Sequence, residues 1–432
     1  MKKICIPLIL LLTLASPGFS EETLTFEEAL AIALEKNYQV AIARNNLQAI
    51  KNEINIGNAG LLPQLDLSAG TDYQAATPSG ETTAKDTTNR FSISANYTVF
   101  DGLKNINRYK TLQSQGASGE LDTRDLIETT LLAVGGAYYA AASAYENLQI
   151  ARELLAISIE RLERAEKRSL YGRARTIDVL SAQVDKIADE VTVTQAEFLW
   201  DETRRDLNVF LSRDIQHPFK VDTRVDFFRD FKLENLKSET LAQNASYLTM
   251  LEELNQFKYN LSITRGNMLP RLDPTASYGW RQMSTDWNLG MGDPTATFQV
   301  GAQLSFNLFK GFQDAIAIKN AKLAVTNQEI AIKQIRLELQ RDVVGEYESY
   351  RHSLLLLDLQ KKYVEAAELN FRRTQELYQL GQVTTTQFRE AQINLIRSRY
   401  NLTNAKFEAK INEIGLLKLS GRLLDMNHPL PD

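Results

Sequence analysis

Nearly the same pattern occurs twice in this chain, about 209 residues apart, and that duplication limits the folds available to it. Leu62-Pro63-Gln64-Leu65 returns as Leu269-Pro270-Arg271-Leu272, an offset of 207. Phe100-Asp101-Gly102 returns as Phe309-Lys310-Gly311, and Gly172…Thr176…Ala182-Gln183 as Gly381…Thr385…Ala391-Gln392, both at 209. Each copy reads as two alternating strands followed by a very long pair of helices. Tandem duplication of one supersecondary unit points to a pseudo-symmetric architecture, with function residing in an assembly and not in a catalytic pocket.

The strand signal has period two. Leu65, Leu67, Ala69, Thr71 and Tyr73 alternate with Asp66, Ser68, Gly70, Asp72 and Gln74. Phe91, Ile93, Ala95, Tyr97 and Val99 alternate with Ser92, Ser94, Asn96 and Thr98, after a Thr/Gly/Ser/Pro-rich stretch, Ala75 to Arg90, that reads as an exposed loop. In the second copy Leu272, Pro274, Ala276, Tyr278 and Trp280 share one face. Beyond a loop around Ser284 to Thr295, so do Phe298, Val300, Ala302, Leu304, Phe306 and Leu308. Each strand has about the 9–11 residues of a tilted membrane strand. A soluble sandwich also alternates, but four strands alone make a thin sheet with two open edges.

The remainder is helical. Thr25, with Glu28 three residues on, caps a helical pattern extending to about Gly60, where Pro63 stops it. No proline falls between Pro78 and Pro218 or between Pro294 and Pro429. The helix from Asp101 to about Arg168 spans ~100 Å at 1.5 Å per residue, too long for a globular domain. Ile177, Leu180, Val184, Ile187, Val191, Thr194 and Phe198 step by three and four, as do Phe388, Ala391, Leu395, Ser398, Leu402, Ala405 and Ala409. These are coiled-coil seams with many small knobs, suited to a closely packed tube. Gly172 and Gly381 interrupt each helical pair at equivalent points, where glycine permits a tight reversal, so each pair is an antiparallel hairpin.

Met1 to Ser20 has a basic start, an apolar run and a small-residue end, the layout of a secretory signal. The only cysteine, Cys5, precedes the apolar run, so the mature chain is expected to carry no disulfide and no lipid anchor. Net charge is −5, and −7 once Lys2 and Lys3 leave with the signal. An acidic balance without basic clusters argues against nucleic acid as a partner. Beyond the signal no run approaches the roughly 18 apolar residues of a membrane helix, so any membrane crossing falls to the strands. His217, His352 and His428 are scattered, and no phosphate loop, nucleophile elbow or zinc motif occurs. Neither an enzyme nor a cofactor is indicated.

The signal, the duplicated strand-strand-helix-helix unit, Phe-x-Gly after the second strand of each copy, and the tips followed by Thr176-Ile177-Asp178-Val179-Leu180-Ser181-Ala182-Gln183 and Thr385-Thr386-Gln387-Phe388-Arg389-Glu390-Ala391-Gln392 together resemble the TolC outer-membrane efflux family. The resemblance covers essentially the whole mature chain. It implies a mainly α fold with a transmembrane β-barrel: a homotrimer whose 12-stranded barrel, four strands per chain, continues into a long periplasmic α-helical barrel with a closable aperture. Asp178, six residues after Gly172, matches an acidic position that latches neighbouring helices in relatives. Relatives often place aspartates six and nine residues after the second tip glycine; here these positions are Gln387 and Glu390. Glu390 therefore remains as a candidate acidic ring, and Gln387 departs from the pattern. Gly172, Arg173, Gly381 and Gln382 are the implied contacts for a periplasmic adaptor.

The expected organisation is a signal over 1–20, a first repeat over 21–212, an equatorial segment over 213–240 and a second repeat over 241–432. The expected role is an exit duct in the outer membrane, surrounded by lipid and extending into the periplasm. It serves efflux or type I secretion and is driven through the adaptor by an inner-membrane pump of the RND or ABC type. The competing reading is a structural or adhesive periplasmic coiled-coil protein.

Overall fold

The computed structural model describes residues 23–76, 84–172, 175–284 and 294–424. The segment read as a signal, with Cys5, and Arg173 at the first tip lie outside the described residues. The element order is β1 (Thr23–Leu24), α1 (Phe26–Lys36), α2 (Tyr38–Glu53), β2 (Gln64–Ala76), β3 (Ala84–Asn96), α3 (Lys104–Leu170), α4 (Thr176–Phe210), β4 (Lys220–Val221), α5 (Leu233–Gln243), α6 (Ala245–Gly266), β5 (Arg271–Ser284), β6 (Thr295–Ser305), α7 (Gln313–Gln379) and α8 (Thr385–Leu419). The duplication is visible in the lengths: α3 and α7 each have 67 residues, α4 and α8 each 35. No described helix is long and apolar enough to cross a membrane.

The chain divides into two compact units. The first holds the residues up to Asn37, Leu131–Phe227 and Tyr350–Glu413. Thr25 caps α1 in a reciprocal box: its amide donates to Glu28 Oε2 at 2.8 Å, and the Glu28 amide donates to Thr25 Oγ1 at 3.3 Å. The helix expected to continue to Gly60 instead breaks at Asn37, which is extended (φ −63°, ψ 128°). The Asn37 side-chain Nδ2 donates to the Phe210 carbonyl at 2.7 Å, and a short polar side chain that bonds backbone in this way competes with helix continuation.

Around Tyr138 the first unit has its densest aromatic packing. Phe26 lies 5.5 Å from Tyr138 and 5.0 Å from Tyr139, ring centre to ring centre, and Tyr139 stacks 5.8 Å from Phe407. The Tyr138 hydroxyl reaches the carbonyls of Leu24 (2.9 Å) and Asp222 (3.1 Å), tying together the ends of the parallel β1–β4 pair. Burial pushes its pKa above the ordinary phenol value, so the group stays a donor at any working pH.

The second unit comprises Tyr38–Thr130, Phe228–Ser349 and the chain from Ile414 onward. Its sheet is antiparallel in the order β2-β3-β5-β6. Continuous registers run from Gln64↔Asn96 to Ala76↔Ala84, from Thr87↔Ser284 to Asn96↔Thr275, and from Arg271↔Ser305 to Arg281↔Thr295. One face carries Leu65, Leu67, Phe91, Ile93, Tyr278, Trp280, Phe298, Val300 and Leu304, all exposed in the single chain. The loop expected over Ala75 to Arg90 is shorter than that, because strand occupies both its flanks. There the ladder is sustained by cross-strand polar contacts, Thr71–Asn89 at 2.5 Å and Arg90–Asp72, and needs no apolar alternation. At the other end β6 stops at Ser305, so Phe306 and Leu308 follow the strand and are not in it. Below the sheet Ser114 Oγ donates to Glu252 Oε2 at 2.8 Å and Gln328 Nε2 to Glu253 Oε2 at 3.0 Å, holding α6 to α3 and α7.

Tyr138→Phe removes one hydroxyl from the carbonyls of Leu24 and Asp222 and leaves the ring packing intact. The expected loss is about 1–2 kcal/mol, read as an earlier midpoint in chemical unfolding with unchanged far-UV circular dichroism.

Candidate functional site at the hairpin tips

Each hairpin reverses at a glycine with positive φ, +66° at Gly172 and +75° at Gly381. An L side chain resists that conformation, so these are the points at which the sequence fixes where the long helices turn. Gln382, after the second glycine, is exposed, and its amide donates to the Leu377 carbonyl at 2.9 Å, closing the end of α7.

Asp178 and Gln387 occupy the same position in the two copies, and both cap a helix. The Asp178 carboxylate accepts from the Arg175 backbone amide at 3.2 Å, with the Arg175 guanidinium 3.5 Å away. Gln387 Oε1 accepts from the Thr384 amide (2.9 Å) and hydroxyl (3.1 Å), while Thr384 Oγ1 accepts from the Gln387 amide at 3.3 Å. Thr384-x-x-Gln387 is a capping box legible in the sequence but missed there. Glu390, one turn further on, is exposed. It lines a groove of about 550 Å³ with Arg161, Asp185, Arg389, Ile393 and Arg397 among its walls. The structure thus gives Asp178 and Gln387 local tasks and leaves the Glu390 carboxylate available to the surroundings.

The strongest electrostatic feature was not anticipated. Arg389 of α8 clasps Asp189 of α4 with both terminal nitrogens, Nη1–Oδ2 at 2.8 Å and Nη2–Oδ1 at 2.7 Å, and its Nε lies 3.6 Å from Asp185. Asp189 also accepts from the Ser158 hydroxyl of α3, and Gln392 Nε2 lies 3.4 Å from the same hydroxyl. Arg161 adds an ion pair to Asp185 at 2.7 Å. Asp189, Arg161, Ser158 and Gln392 are all buried. Burial works against the Arg389 charge, but the Asp189 hydrogen bonds and the charges of Asp189 and Asp185 outweigh it, holding the guanidinium pKa above its ordinary value. The cluster joins three helices from both copies of the repeat.

A signal for it does exist in the sequence. Subtracting 209 from Arg389 gives Leu180, so a cation stands where the other copy keeps an apolar knob. The same offset turns Asp185 into Asn394, Asp189 into Ser398, Ser158 into Ala367 and Arg161 into Asn370. Every charged member has an uncharged mate.

Arg389→Leu alone strands the buried Asp189 carboxylate and is expected to cost about 3–5 kcal/mol. Adding Asp189→Ser, the residue of the other copy, removes the stranded charge while Asp185 keeps its ion pair with Arg161, and is expected to recover most of that loss. Unfolding midpoints of the single and double variants provide the comparison.

The family model described as "Outer membrane efflux protein" matches residues 29–211 and 236–422. Among curated proteins, the chain is 21% identical over 396 residues to the "Probable outer membrane lipoprotein SilC" of Salmonella typhimurium, covering 90% of this chain and 84% of that protein. It is 21% identical over 414 residues to the "Proteases secretion protein PrtF" of Dickeya chrysanthemi, covering 92% and 88%. Among solved structures it superimposes on the Campylobacter jejuni CmeC outer membrane channel with a TM-score of 0.78 at 18% identity, covering 92% of this chain and 86% of that one. With duplicated hairpins, a four-stranded sheet and a family match running through both copies, the chain belongs to the outer membrane efflux protein family.

Proposed function

We propose that this chain is the outer-membrane exit duct of an efflux or type I secretion pathway, formed by three copies around a common axis. Four strands from each copy close one 12-stranded barrel, and the hairpins build the periplasmic tube. The duct is passive: an inner-membrane pump supplies the energy, and a periplasmic adaptor meets the tips around Gly172, Arg173, Gly381 and Gln382. The two repeats, 21–212 and 241–432, with the 213–240 segment between them, alternate around the tube.

The observation that carries this reading is a contact made once inside the chain and left vacant once on its surface. Ile150 and Leu154 of α3 bury against Ile396 of α8, with Tyr400 packed on them. The mates of these residues at an offset of 209 are Leu359, Tyr363, Ile187 and Val191. Those four are 51%, 44%, 50% and 51% exposed. The polar rim follows the same rule. Arg399 pairs with Glu153 at 2.6 Å within the chain; its mates are Glu190 and Lys362, again opposite in sign but with the charges exchanged. The α4 face of one copy therefore fits the α7 face of the next in the register that α8 and α3 already use.

Ile187→Cys with Leu359→Cys tests the register directly, since the natural chain has one cysteine, Cys5. Mild oxidation of the double variant is expected to give covalent dimers and trimers on a non-reducing gel, with each single variant giving neither. A monomer that stays uncrosslinked in detergent while remaining folded is the contrary result.

Glu390 supplies the second test. Three copies of this carboxylate converging on a narrow aperture focus a negative potential and attract cations. Glu390→Ala is expected to lower cation selectivity and weaken block by multivalent cations in planar bilayers. Unchanged selectivity assigns that side chain to the outside of the tube.

A further inference from the structure

On the polar face of the sheet the register sets Arg90 of β3 directly opposite Arg281 of β5. Like charges facing each other across a strand pair repel, and selection for stability alone removes such a pair. Their neighbours in the same row are Gly70 and Thr295, neither of which offers a counter-charge. Asp72, one row toward the loops between the paired strands, forms an ion pair with Arg90. No ion pair to Arg281 occurs among the described residues. Among the described residues the other carboxylates of this wall are Asp273, eight residues from Arg281 and paired with Arg271, and Asp66 and Asp86, which sit in the rows of Ser94 and Gln74, four residues away on either side. That is ~14 Å along a strand, beyond the ~8–10 Å over which charges act through physiological salt. The rows toward the helices hold Ser68, Ser92, Gly279 and Thr297, then Ser94, Ser277 and Gln299 beside Asp66.

We propose that Arg90 and Arg281 form an anion-binding ring on the inner wall of the barrel, at the end remote from the helices. The ring receives multiply charged anions, such as sulfonates, phosphates or polycarboxylates, as they leave the duct. The inference rests on the barrel reading above, which turns the face bearing Phe91, Trp280 and Val300 to lipid and the Arg90 face to the lumen. Among the described residues three copies then present six arginines against three neighbouring Asp72 carboxylates, with no counter-charge paired to Arg281. A ring of this sign holds an anion without base-like or shape-specific contacts, by field alone, and releases it readily to water. The acidic aperture and the basic exit lie in series on one pathway, each with its own selectivity.

The purified trimer in detergent, titrated into a trisulfonated pyrene dye at low salt and followed by fluorescence anisotropy, reads this binding without relying on conductance. The wild-type protein is expected to bind the dye and to lose it as salt is raised. Arg281→Gln is expected to weaken binding about tenfold, since three equivalent charges are removed at once. Arg281→Lys keeps most of the affinity. Arg271→Gln changes the net charge equally on the same wall, but Arg271 is already paired with Asp273 at 2.7 Å, and its loss is expected to leave binding within about twofold. Dye affinity that ignores Arg281, or falls equally with Arg271, overturns the ring. If Arg281→Gln does not assemble, the wild-type channel decides: sulfate on the outer side of a planar bilayer blocks current through a basic ring, and absence of block overturns it. The same bilayers separate the two readings. A preparation that carries no current refutes the duct and the ring with it, while a conducting channel indifferent to sulfate and dye refutes the ring alone.

Discussion

A four-stranded sheet with two free edges and an apolar outer face is an unfinished object. β2 and β6 each pair on one side only among the described residues. In hydrocarbon an unpaired strand edge forfeits several kcal/mol per backbone group, so a membrane-embedded sheet must close on itself. Closure with side chains of ordinary size needs about eight strands or more, which one copy does not have. The same incompleteness recurs in the first unit, where α4 and α7 expose apolar stripes at helical spacing. Both deficits have one remedy, more copies of the same chain, because a duplicated unit carries the complement of its own surface.

That economy explains which parts of the fold were legible in the sequence. Strand faces, hairpin tips and the Thr25 cap depend on neighbours one to four residues away, and period-two alternation, Gly172, Gly381 and Glu28 displayed them. The Asn37 break depends on the Phe210 carbonyl, far along the chain, and periodicity carries no information about it. The strand flanks within 75–90 were hidden because their polar side chains bond across strands, and composition alone reads such residues as a loop. The seam from Ile177 to Phe198 shows the limit most clearly. Heptad-like spacing identified an apolar face, but its cover is not in the same chain, while the seam from Phe388 to Ala409, which by the offset of 209 lies on a different face of the repeat, is largely covered within it.

Asp178 and Gln387 secure helix ends within the chain, a local task carried by Arg175-x-x-Asp178 and Thr384-x-x-Gln387. Arg389 has no such local signal, because its partners Asp185 and Asp189 lie about 200 residues away. Only comparison with Leu180 in the other copy marks it as exceptional. Internal duplication acts here as a control within one molecule, showing what the position looks like without the charge.

On the duct reading, the two kinds of seam around the tube are unequal. Inside each copy the tip is bound by the bidentate Arg389–Asp189 clasp, supported by Ser158, Asp185 and Arg161. Between copies the mates are Leu180, Ser398, Ala367, Asn394 and Asn370, with no charge among them. Leaving a buried charge of this kind uncompensated costs about 3–5 kcal/mol, whereas shifting the neutral side chains that replace the clasp costs far less, since their contacts re-form one turn along. Any force applied by an adaptor at the tips is therefore taken up between copies before it is taken up within one. The three copies move as stiff bodies past one another, and the aperture widens at the seams that have no counterpart of the Arg389–Asp189 clasp.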